Sequence, residues 1–151
     1  MADRQGVTGG DDPTERLVDE VPRRRVVAAL ARRWQASVTI VTAAGGFGKS
    51  TALRQAIDAN RADRHGVDHL VTCRPFDVDA HRFTRRVVES LGSDAPVEGD
   101  DPVVLAGVVV AALGTRSPQP LCLVLDDGDE LGDATPAVEV LRVVVRALPA
   151  N

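Results

Sequence analysis

Nine residues, "AAGGFGKST" at 43–51, constrain this chain more than any other stretch. Gly45, Gly46 and Gly48 precede Lys49, the one lysine in a chain that otherwise uses seventeen arginines. Upstream, "SVTIVTA" at 37–43 is a short bounded β-branched run and reads as a buried strand. Downstream, "KSTALRQAIDANRA" reads as a helix. A glycine-rich turn between strand and helix can aim successive backbone N–H groups at an anion, and the helix N-terminus adds partial positive charge. Gly45, Gly46 and Gly48 permit positive φ and a close approach with no Cβ in the way. Lys49 is a compact point charge that reaches β- and γ-phosphates, where the bulkier planar arginine fork does not fit. Ser50 offers a hydroxyl to Mg²⁺.

The spacing is G-x-x-x-x-G-K-[ST] with Ala43 at the first glycine, which is a P-loop. A dinucleotide fingerprint is excluded, because its third glycine falls where Thr51 stands. A P-loop ATPase needs a second acidic element to hold Mg²⁺ and orient water. "LCLVLDD" at 121–127 supplies one. Its apolar run reads as a strand buried on both faces, and it delivers Asp126 and Asp127 to the C-terminal end, where ligands sit in open α/β sheets. Asp126 is the expected Mg²⁺ ligand beside Ser50, and Asp127 the expected general base.

Helices and strands alternate through the rest. Pro22 opens a helix in which Val26, Val27, Leu30 and Trp34 recur at helical spacing, with Arg23–Arg25 and Arg32–Arg33 read as a solvated face. "DHLVTC" at 68–73 is a further strand. Asp79 caps a helix that Gly92 stops; an apolar helix spans about 103–113, and a last helix 135–149 has Pro at its first turn. The pattern is an α/β layer fold with a mainly parallel sheet, three strands expected. Residues 1–20, polar and acidic, read as a disordered tail, leaving 21–151 as a partial P-loop domain.

Composition narrows the function classes. Net charge −4 and pI about 5.3 oppose a chain whose work is to coat nucleic acid. Aromatics make up 3 %, so the core must be aliphatic. The apolar helix is too short to span a bilayer and the N-terminus has no apolar leader, so a cytoplasmic protein is expected. Cys73 and Cys122 show no C-x-x-C spacing and read as reduced core cysteines. His65 and His69 lack the acid of H-E-x-x-H and read as ordinary histidines. No helix-turn-helix pattern stands out.

The motifs also have a family flavour. "TAAGGFGKSTAL" resembles the loop of the MalT-like signal-transduction ATPases, large ATP-binding regulators with a LuxR-type DNA-binding end. Phe47, Gly48, Lys49, Ser50 and Thr51 match directly, Ala44 and Gly45 replace the usual Pro and Ala, and Ala is common there at the position of Ala43. "VPRRRVVAAL", "DAHRFTRRVVESLG" and "LVLDDGDEL" resemble that family's lead-in helix, middle helix and acidic strand, so the likeness runs in order over 21–149. Gly128 and Asp129 depart from the usual Tyr-His, and Leu70 stands near a usual tryptophan.

The resemblance implies a P-loop NTPase three-layer sandwich. It implies ATP and Mg²⁺ held by Ala44, Gly45, Gly46, Phe47, Gly48, Lys49, Ser50 and Thr51, with slow hydrolysis and nucleotide acting as a switch. It places a further strand between the P-loop strand and the Asp126 strand, drawn from beyond Asn151, so the sheet is expected to be incomplete. DNA would be reached only through a C-terminal domain beyond this chain. The alternative is a non-enzymatic truncated regulator fragment that does not bind nucleotide alone or only docks to a longer homologue, with self-association as a further partner mode. A small P-loop kinase would need a lid and an acceptor site, and neither is visible.

Overall fold

The computed structural model describes residues 21–116 and 118–149. The tail expected over 1–20, and the last residues of the domain expected over 21–151, lie outside the described residues. The chain starts with α1 (Arg24–Leu30), tightens into a 3-10 turn at Ala31–Gln35, and passes through the glycine loop to α2 (Lys49–Ala62). Then come β1 (Val67–Thr72), a 3-10 turn at Pro75–Val78, α3 (Ala80–Ser90) and α4 (Pro102–Gly114). β2 (Leu121–Asp126), a 3-10 turn at Gly128–Leu131 and α5 (Pro136–Ala147) complete the described chain.

β1 and β2 pair in parallel, with Val67 opposite Leu121 and Thr72 opposite Asp126. Polar caps decide where the flanking helices begin. Asp79 Oδ1 accepts from the Arg82 N–H at 2.8 Å, and Asp101 Oδ1 from the Val103 N–H at 2.8 Å. Pro102 and Pro136 sit in first turns, where a missing N–H removes no helical bond. The core is aliphatic, as composition requires. Phe83 and Val87 of α3, with Leu91 just past its end, meet Leu105 and Val109 of α4, Val140 and Val144 of α5, and Val71 of β1. A smaller cluster of Leu30, Ala52 and Ala56 joins α1 to α2. No helix among the described residues is long and apolar enough to cross a membrane.

Two expectations change. The strand expected at 37–43 does not form: β1 and β2 make a two-stranded sheet, and 37–43 have no ladder partner among the described residues. Val38 is 46 % exposed and Ile40 80 %, so this β-branched run is not buried. The segment is tied at its ends instead. Ser37 Oγ donates to the Pro149 carbonyl at 2.9 Å, and the far end continues into the loop and α2. With nothing paired along the outer edge of β2, sequence propensity alone supplies no ladder.

The second change concerns Arg33, which does not belong to a solvated face. Its Nε and Nη2 form a fork on Asp68 Oδ1 and Oδ2 at 3.0 and 2.8 Å, with the two side chains 9 % and 2 % exposed. Its Nη1 donates to the Leu30 carbonyl at 3.0 Å. Asn60 Nδ2 donates to Asp68 Oδ2 at 2.8 Å and to the Gly66 carbonyl at 3.1 Å. The cause is local: the 3-10 turn over Ala31–Gln35 winds at a different period from α1, so the helical wheel misplaces residue 33. This network fastens the α1–α2 pair to β1.

Arg33→Ala should strand the Asp68 carboxylate in a buried site and lower stability by about 3 kcal/mol, read as a lower urea midpoint. Adding Asp68→Ala to that variant should recover part of the loss, because the two side chains act as one unit.

Candidate functional site

The site begins with backbone shape. Gly46 and Gly48 take φ of +79° and +72°, the left-handed region that favours glycine. The Phe47 N–H turns back to the Ala44 carbonyl at 3.4 Å. Lys49 opens α2, and its Nζ donates to the Ala43 carbonyl at 2.9 Å, closing the loop into a ring. Ala52 N–H bonds the Gly48 carbonyl at 3.0 Å, so the amides of Lys49, Ser50 and Thr51 precede the first intrahelical bond. Built at Gly45 or Gly46, a Cβ meets nothing within 4 Å, so that side of the loop faces open space. Two clefts of about 500 and 550 Å³ lie elsewhere, one beside Trp34 and Pro120 and one beside Arg74 and Arg82. The loop is open at Gly45 and Gly46 and closed against Arg23 at Gly48.

The acidic element arrives from 76 positions away. Ser50 Oγ donates to Asp126 Oδ1 at 3.0 Å. The Asp127 N–H donates to the same oxygen at 3.1 Å, and Asp126 is 8 % exposed. A hydroxyl and a carboxylate oxygen this close suit Mg²⁺, a hard cation that takes oxygen ligands. Among the described residues no three His, Cys, Asp or Glu side chains gather as a metal site. Ser50 and Asp126 would therefore share the ion with oxygens of a phosphate ligand. The glycine cradle with Lys49 fits such a ligand.

Asp127 sits beside this pair, exposed, at φ +53° and ψ +40°. It is the one non-glycine residue with positive φ among the described residues. Aspartate tolerates this region better than most side chains. Its carbonyl accepts from the Glu130 N–H at 3.0 Å and starts the turn after β2. Of the expected site residues, Ser50 and Asp126 make direct contact, while Lys49 turns to its own loop. His65 and His69 bond to different segments of the chain. Their Nδ1 atoms donate to the carbonyls of Asp63 at 3.0 Å and Ser90 at 2.7 Å, since a carbonyl can only accept.

Arg23 is the residue that sequence reasoning missed. Its Nη1 donates to the Phe47 carbonyl at 2.7 Å, and its N–H to Gln55 Oε1 at 2.9 Å. Gln55 Nε2 donates to the Val21 carbonyl at 3.2 Å. Apolar spacing shows only which residues face the core, so it could not separate Arg23 from Arg24 and Arg25.

Both cysteines are free, and burial pushes the thiols of Cys73 and Cys122 up to about 11. The nearby Asp77 and Asp68 carboxylates add to the rise, while Arg86 and Arg33 oppose it. Such thiols stay protonated near neutral pH and are poor nucleophiles. A raised folded value stabilises the fold fully below the ordinary value of 9.0, and that contribution is lost as pH climbs to about 11. Stability should therefore decline over that alkaline window, and the Cys73→Ser variant should show a shallower decline. At pH near 8, iodoacetamide should label both cysteines far faster in urea than in the folded chain.

The AAA domain family matches residues 32–149, a span that holds the glycine loop, Ser50, Asp126 and Asp127 and leaves Arg23 outside. No curated protein and no solved structure matches the chain. Family membership brings nucleotide binding as its coarse function. With its glycine loop between the lead-in segment and α2, its parallel strand pair and its flanking helices, this chain belongs to the AAA domain family of P-loop proteins.

Proposed function

We propose that this domain binds ATP with Mg²⁺ and acts as the nucleotide switch of a MalT-like, LuxR-type transcriptional regulator. The observation that carries the reading is the 3.0 Å contact between Ser50 and Asp126, which joins the glycine loop to the acidic strand end. Lys49 would leave the Ala43 carbonyl for the β- and γ-phosphates. The backbone from Ala44 to Thr51, with Gly45, Gly46, Phe47 and Gly48 at its rim, would line the phosphates. Ser50 and Asp126 would hold Mg²⁺, which supplies charge neutralisation at the phosphates. Asp127 would accept the proton of an attacking water. Hydrolysis is slow in this reading, and the bound state itself is the signal. The protein works in the cytoplasm, and DNA is contacted through another domain.

One observation favours a second reading, docking to a longer homologue. Ile40 is 80 % exposed in a β-branched run that has no ladder partner among the described residues, where β2 likewise pairs on one edge only. Unpaired backbone beside apolar side chains is a template for strand addition. The resemblance to the regulators places a strand in that position.

A fluorescent ATP analogue titrated with Mg²⁺ should bind the wild-type chain saturably. Lys49→Ala should weaken it at least about 30-fold, roughly 2 kcal/mol, with an unchanged circular dichroism spectrum. Asp126→Asn should remove the dependence on Mg²⁺, and Asp127→Asn should bind normally while residual hydrolysis stops. A folded wild-type chain that does not bind would leave docking as the surviving reading.

A further inference from the structure

The geometry points to Arg23 as a positioning residue for the phosphate cradle, acting through the Phe47–Gly48 peptide. The inference rests on the reading of the glycine loop as a phosphate site. In a trans peptide the C=O and the following N–H point in opposite directions. Arg23 Nη1 holds the Phe47 oxygen at 2.7 Å, so the Gly48 N–H is turned away from the lead-in segment. Among the described residues that N–H has no hydrogen-bond acceptor, which leaves a donor free on the loop.

The orientation needs holding because of the residue type. Glycine at 48 takes either sign of φ at little cost, so this peptide flips more easily than its neighbours. A flipped peptide would present an electron-rich carbonyl where the loop now presents an N–H, and an anion would be repelled. Arg23 opposes the flip by hydrogen bonding one end of the peptide. Its guanidinium also lies against the glycine itself, since a Cβ built on Gly48 would come 2.6 Å from Nη2. The backbone that carries the arginine is in turn held by Gln55 on α2, whose Oε1 accepts from the Arg23 N–H at 2.9 Å and whose Nε2 donates to the Val21 carbonyl at 3.2 Å. The lead-in segment thereby sets the polarity of the loop.

The test uses inorganic tripolyphosphate as the probe, with binding by calorimetry and the Gly48 amide followed by NMR in the free protein. Arg23→Ala should move the Gly48 amide signal before any ligand is added. It should weaken tripolyphosphate about threefold to tenfold, the worth of one hydrogen bond. The loss should persist at about 0.5 M salt, where exposed charges are screened. Arg23→Lys, which keeps a donor, should recover most of the affinity, and Gln55→Ala should show a smaller loss in the same direction.

An Arg23→Ala chain with an unmoved Gly48 signal and unchanged affinity overturns the inference. So does a loss that vanishes at high salt with Gly48 unmoved, because Arg23 would then act as a plain charge on the ligand. If the wild-type chain does not bind tripolyphosphate, the phosphate reading fails. A shifted Gly48 signal in Arg23→Ala would still support the positioning contact in that case, and an unshifted one would overturn it.

Discussion

The fork of Arg33 on Asp68 is the contact on which the placement of the loop depends. In a fold of this kind the strand before the glycine loop would anchor α2 to the sheet through a ladder. Residues 37–43 have no ladder here, so α2 must be anchored by side chains. At one end of β1, Arg33 and Asn60 converge on Asp68 and bind the 3-10 turn, α2 and the strand together. At the C-terminal end of β2, Ser50 reaches Asp126. Two polar contacts at opposite ends of the strand pair thus take over what backbone pairing would do. The first is buried and bidentate, the geometry in which an ion pair with satisfied neighbours is expensive to break. The second lies in the site, where it is exchangeable.

The division between what the chain's letters disclosed and what they hid follows from the range of the forces involved. β2, α3, α4 and α5 were readable to within a few residues, because apolar period, Asp and Pro caps and the Gly92 stop are all local. Ser50 and Asp126, each expected at a cation from its motif, stand in hydrogen-bond contact at 3.0 Å, a nearness that the two motifs separately suggest. The run at 37–43 misled because β-branched residues describe a surface that a sheet can use, not whether a neighbouring strand is present. Arg33 and Arg23 misled for a different reason. Seventeen arginines look alike on a helical wheel, and only the 3-10 turn and the fold of the loop decide which of them finds a carboxylate or a carbonyl.

The same contacts explain how a loop rich in free donors holds its shape. Positive φ at Gly46 and Gly48 and three early amides of α2 assemble like-signed dipoles in a small space. Three charged or polar side chains around them have internal partners: Lys49 on Ala43, Ser50 on Asp126, Arg23 on Phe47. These partners differ in kind. The Ala43 carbonyl is a neutral acceptor that a phosphate oxygen, being charged, would displace from Lys49. In the proposed reading, Ser50 and Asp126 would be the side chains that hold Mg²⁺, giving up their mutual hydrogen bond. The Phe47 carbonyl stays where it is, because its outward direction is what keeps the Gly48 donor available. A cradle held this way needs little rearrangement to accept an anion, so more of the binding energy remains for affinity.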